Sequence, residues 1–139
     1  MAYFPELSAF QYKIKGQPVE ITMIGWLDLE HPHNTGPVSE QFLARLWLYC
    51  RNPVRQSKGF HSCDFCGPEW VMQEAERNGE KLGLGSAEIL VRSNSGITYA
   101  APDLIYHYIV EHQYQPPQEF IEAVKTAPLP FDPTQRTAL

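Results

Sequence analysis

A chain of 139 residues with 43% hydrophobic and 19% charged residues carries enough apolar material for one folded core and does not have the composition of a disordered chain. Its net charge of −5, with no cluster of Lys or Arg to offset it, disfavours partners that present phosphates, so neither nucleic acid nor an anionic membrane is expected. Three cysteines, an odd number, argue against a disulfide framework. No apolar run approaches the length of a membrane span, and the opening MAYFPELSAF lacks the basic head and apolar stretch of a signal peptide. A cytoplasmic protein is therefore expected, in which paired cysteines serve metal or redox chemistry more often than disulfides. One domain over residues 1–127 and a proline-rich, flexible tail over 128–139 account for the whole length.

Residues 12–27 read as an antiparallel pair turning at KGQP, with Val19, Ile21 and Met23 alternating against Glu20 and Thr22. The stretch GWLDLEHPHNTGP that follows is a loop. Ser39 is a candidate N-cap for a helix that buries Phe42, Leu43, Leu46, Trp47 and Cys50 and stops before Pro53. Cys50 on that face reads as a small buried apolar residue. From Trp70 to Leu84 the signals conflict, because QEAER favours helix while Asn78-Gly79 marks a two-residue hairpin; strands on either side of the turn are the preferred reading. Ala87, Ile89 and Val91 then alternate inward, SNSG turns, and residues 97–100 return. Pro102 suits the first position of a helix carrying Leu104, Ile105, Tyr108 and Ile109 and ending near His112. A last helix starts about Pro117, buries Phe120, Ile121 and Val124, and stops before Pro128. The expected fold is α+β: a small antiparallel sheet, two or three helices packed on one side, and a zinc knuckle.

The chemistry concentrates in GFHSCDFCGPEW, residues 59–70. Cys63-Asp64-Phe65-Cys66-Gly67 has the form of a metal knuckle: two intervening residues let a tight turn aim both sulfurs at one point, and backbone N–H groups in the turn can stabilise the thiolates. A glycine after the second cysteine supplies the positive φ that closes such a turn. Zinc suits this donor set best, since it favours thiolate and imidazole in a tetrahedron. Two more ligands are needed, and no second C-x-x-C exists. His107 and His112, in HYIVEH, are the leading candidates, completing a set of Cys63, Cys66, His107 and His112. Positions five apart on an ideal helix diverge by about 140°, however, so both reach one ion only if the last turn loosens. Otherwise His61, two residues before Cys63 in an extended lead-in, replaces one of them. A redox dithiol is a further alternative, which Gly67-Pro68 disfavours by opposing a following helix. His31 and His33 read as loop residues, with Asp28 and Glu30 close enough in sequence to suggest a weak second metal site.

Together GWLDLEHPHNTGPV, GFHSCDFC, LGSAEILV and YAAPDLIYHYIVEHQYQPPQEFIEAV resemble a family of short bacterial proteins of unknown function, over roughly residues 3–125. The resemblance implies a bacterial cytosolic protein with His61, Cys63, Cys66, His107 and His112 as characteristic polar positions. It implies no reaction and no substrate. His33 stands where the pattern leads one to expect an aromatic residue.

Two functions of different class follow. In one, zinc is structural, all four positions are protein ligands, and the protein is a binding or interaction module for a protein or small-molecule partner. In the other, a Cys₂His site keeps a water for hydrolysis or deamination, with Glu111 or Glu88 as general base. The deaminase signature H-x-E with P-C-x-x-C is absent, as are H-E-x-x-H, a nucleophile elbow and a phosphate loop. The structural reading is preferred.

Overall fold

The computed structural model describes residues 3–56, 61–67 and 72–129. The proline-rich tail from residue 130 onward and the Pro68–Val71 stretch lie outside the described residues.

Among the described residues, seven strands and three α-helices follow one another: β1 (Ala9–Ile14), β2 (Gln17–Met23), α1 (Glu40–Arg51), β3 (Arg55–Gln56), β4 (Gln73–Arg77), β5 (Glu80–Leu84), β6 (Ala87–Arg92), β7 (Thr98–Pro102), α2 (Ile105–His112) and α3 (Gln118–Thr126). β4 and β5 form a separate hairpin around Asn78-Gly79, so the turn signal prevails over the helix formers in QEAER. The remaining strands make one sheet in the order β1-β2-β7-β6-β3.

The class is α+β, as expected, but the sheet is mixed and not antiparallel. β2 and β7 run parallel, with Thr22 opposite Tyr99 and Met23 opposite Ala100. The chain between them carries α1 across one face, the kind of long crossover that parallel neighbours require. Alternating residues record local hairpins; they carry no information about which distant strand lies alongside.

Both faces of the sheet are covered. Ile89, Val91, Tyr99 and Ala101 pack with the helices and with Cys63 in the larger core. Ile21, Met23, Leu90 and Ala100 face the other way, beneath Tyr12, Trp26 and Phe4. That second layer is why Leu90 is buried as well as Ile89 and Val91. The helix ends follow their local chemistry. The Ser39 hydroxyl accepts from the Phe42 N–H at 3.1 Å and caps α1, which buries Phe42, Leu46, Trp47, Tyr49 and Cys50. The Arg45 guanidinium donates to the carbonyls of Val124 and Ala127, satisfying the C-terminus of α3 against α1. Among the described residues no helix is long and apolar enough to cross a membrane.

One helix start differs from expectation. Pro102 closes β7, opposite Glu88, and α2 begins only at Ile105. Asp103 is the cause. It is 3% exposed, and its Oδ1 accepts from the Gly85 N–H at 2.8 Å. Its carboxyl also takes the N–H groups of Ala87 and Leu104, while its own N–H donates to the Ala87 carbonyl at 3.0 Å. Asp103 therefore fastens the β5–β6 corner to the head of α2 before the helix begins. Burial pushes its carboxyl up to about 6, and the converging N–H groups oppose the rise. Removing this acceptor strands buried donors. Asp103→Ala is expected to cost about 2 kcal/mol or more in urea unfolding, and an unchanged midpoint would show that the corner does not depend on it.

Candidate metal centre

The knuckle is a single 3-10 turn over Asp64–Cys66, in which the Cys66 N–H donates to the Cys63 carbonyl at 3.2 Å. The N–H groups of Phe65 and Cys66 donate to the Cys63 sulfur. Gly67 leaves the turn at φ 123°, a region open to glycine and strained for other residues. Phe65, between the two cysteines, packs on Tyr108 and His112 with ring centroids 5.7 and 5.6 Å apart, which presses the turn against α2.

On α2 the five-residue spacing is accommodated at the helix end. The N–H groups of Gln113 and Tyr114 both donate to the Tyr108 carbonyl, five and six residues back, instead of four. A wider turn rotates the chain less per residue, so the 140° splay of an ideal helix shrinks and the two imidazoles come to the same side. Gln113 adopts a left-handed conformation (φ 57°) to end it, and Pro116 and Pro117 prevent continuation. The imidazole centroids of His107 and His112 lie 5.1 Å apart.

The two halves meet. Donor atoms of Cys63, Cys66, His107 and His112 all lie within 4.8 Å of one another, an arrangement that can hold a metal ion. Cys66 Sγ is 3.2 Å from His107 Nε2 and 3.4 Å from His112 Nε2, and Cys63 Sγ is 3.4 Å from His112 Nε2. A tetrahedral ion with sulfur at about 2.3 Å and nitrogen at about 2.0 Å places neighbouring S and N about 3.5 Å apart. The observed separations are close to those edges.

His61 does not join the cluster. Its part is played by the backbone: the His61 N–H donates to the Gly85 carbonyl at 2.6 Å, and the Gly85 N–H is the one held by Asp103. A hydrogen-bonded clip thus runs from the lead-in of the knuckle through Gly85 to the head of α2, holding both halves of the site in register. Gly85 sits at φ 110°, and a Cβ there would lie 2.3 Å from the His61 carbonyl oxygen. The residue pattern LGSAE contains this glycine but gives no hint of its partner.

Nor do His31 and His33 form a second site; among the described residues no other group of three or more metal-ligating side chains gathers. His31 pairs with Asp28 at 2.7 Å and stacks on Tyr3. His33 behaves as an aromatic residue, edge-on to Phe65 and Tyr114 at 5.2 and 5.9 Å. Its loop is tied to the end of α2 by the Gly36 N–H on the Gln113 carbonyl and the Gln115 N–H on the Asn34 carbonyl, both at 3.0 Å.

This geometry coincides with a family assignment. The chain belongs to the family described as Domain of unknown function (DUF7919), which matches residues 2–125. No curated protein and no solved structure matches it. All four converging donors, the clip through Gly85 and the body of the sheet lie within the matched residues.

The electrostatics suit a soft cation. Burial, opposed by the turn N–H groups and reinforced by Cys66, pushes the Cys63 thiol up to about 11. Burial and the neighbouring His112 lower His107, against the pull of Glu111, which favours the neutral imidazole that can offer a lone pair. Two thiolates brought together here need a cation between them, and binding one displaces thiol protons. The clip can be tested without touching a ligand. Gly85→Ala is expected to weaken metal binding by roughly tenfold or more, measured by competition with a chromogenic chelator; wild-type affinity in that variant would show that the clip does not position the site.

Proposed function

We propose that this protein is a small bacterial cytosolic zinc-binding module in which the ion is structural, fastening the knuckle to α2 in support of a surface that binds a protein or small-molecule partner. The observation that carries the reading is the convergence of two thiolate and two imidazole donors at tetrahedral spacing. Zinc is preferred over other divalent ions because mixed sulfur and nitrogen donors in a tetrahedron match its coordination and ask for no redox change. Four protein donors saturate such an ion and leave no position for a water.

The open-site alternative loses support on the same ground. A hydrolytic or deaminating zinc would need one histidine to stand away and a carboxylate to stand close. Glu88 instead accepts from the Tyr12 hydroxyl at 2.6 Å, and Glu111 is exposed. The acidic balance of the chain supports a role outside nucleic-acid binding.

Elemental analysis of protein purified without added metal or chelator is expected to find about one equivalent of zinc. Cys63→Ser and Cys66→Ser should each lower stability by roughly 3 kcal/mol or more, because a lost ligand forfeits metal-coupled folding energy. Cys50→Ser should cost only about 1 kcal/mol, its sulfur being a weak donor to the Asp103 carbonyl at 3.8 Å. Less than half an equivalent of zinc, or equal melting midpoints for the three variants, would overturn the reading.

A further inference from the structure

We infer that the Cys63–Cys66 pair is a reversible redox latch on this site: hydrogen peroxide converts it to a disulfide, and the metal is released. The inference rests on the zinc reading and adds a regulation to it. Its basis is an asymmetry in the cluster. Cys66 is exposed, whereas Cys63 is 1% and Cys50 4% exposed. A small oxidant therefore reaches one thiolate, with the second cysteine waiting behind it.

The geometry suits the second step. The two sulfurs lie within 4.8 Å of each other, at the two ends of one turn. Residues three apart in a tight turn keep their Cα atoms within about 7 Å, which is the span a disulfide tolerates. In the first step the Cys66 thiolate attacks one peroxide oxygen; the O–O bond breaks, Cys66 becomes a sulfenic acid, and the leaving hydroxide takes a proton to become water. In the second, the Cys63 thiolate attacks the Cys66 sulfur; the S–O bond breaks, the disulfide forms, and a second hydroxide leaves as water after taking another proton. Two electrons pass from the two sulfurs to the peroxide, and two protons are consumed. Only His107 and His112 then remain as donors, and two imidazoles hold a divalent ion far more weakly than the full set.

Two features make the change local and reversible. Cys50 lies within the core on α1 and cannot compete for the sulfenic acid. The clip from Asp103 through Gly85 to His61 contains no sulfur, so the oxidised knuckle stays beside α2 and can be refilled on reduction.

The test uses full-length protein whose zinc content has first been measured. Stoichiometric hydrogen peroxide is added while a chromogenic chelator reads zinc release and a thiol reagent reads free cysteine. Loss of one equivalent of zinc together with two thiols is expected, with peptide mapping joining Cys63 to Cys66, and with rebinding after dithiothreitol and added zinc. Cys50→Ser should behave identically. A loaded protein that keeps its zinc while peroxide is consumed, a disulfide involving Cys50, or release through irreversible over-oxidation would each overturn the latch alone. Protein that contains no metal before peroxide is added fails the zinc reading and this inference with it.

Discussion

Gly85 is the point on which the site depends. Its N–H is held by the buried Asp103 carboxyl and its carbonyl takes the His61 N–H, so one residue joins the segment before the knuckle to Asp103 at the head of α2. Cys63 and Cys66 are separated from His107 and His112 by 41 to 49 residues of chain at their contacts. Without a link of this kind, closing that loop would fall to a bound ion alone, at an entropic cost that grows with loop length. With it, the donors stand within reach of one another through the fold itself. The positive φ of Gly85 and the lack of room for a Cβ are the conditions that make the link possible.

The same economy appears at the end of α2. A regular helix would turn His112 away from His107, and a regular C-terminus would end four residues after its last acceptor. Here the Tyr108 carbonyl accepts two N–H groups from beyond the usual reach, and the widened turn brings both imidazoles to the knuckle. Phe65 fills the space between this turn and the loop carrying His33, so aromatic packing holds the sulfur side as hydrogen bonding holds the histidine side. Burial then disfavours charge on Cys63 and His107, and a cation between the donors relieves the cost of ionising the thiols.

What the sequence made legible was local. The Ser39 cap, the extent of α1, the Asn78-Gly79 hairpin and the span of α3 each follow from residues within a few positions, and each stands in the structure. That Cys63, Cys66, His107 and His112 come together was legible too, because cysteine and histidine are scarce and their spacing carries chemistry. The parallel pairing of β2 with β7 was not, since nothing in either strand names a distant neighbour. Pro102 misled for a related reason: its fixed φ suits a helix start and a strand end alike, and only the capture of Gly85 by Asp103 decides between them. His61 was the alternative ligand by residue type; it lies outside the group of four donors, and its backbone N–H holds the Gly85 carbonyl.

X-ray absorption spectroscopy at the metal edge of the purified protein tests the central claim most directly. A closed shell of Cys63, Cys66, His107 and His112 predicts two sulfur scatterers at about 2.3 Å and two nitrogen scatterers at about 2.0 Å, with imidazole multiple scattering and no exchangeable oxygen. A first shell of two sulfurs, one nitrogen and a water oxygen that exchanges with added anions would contradict it.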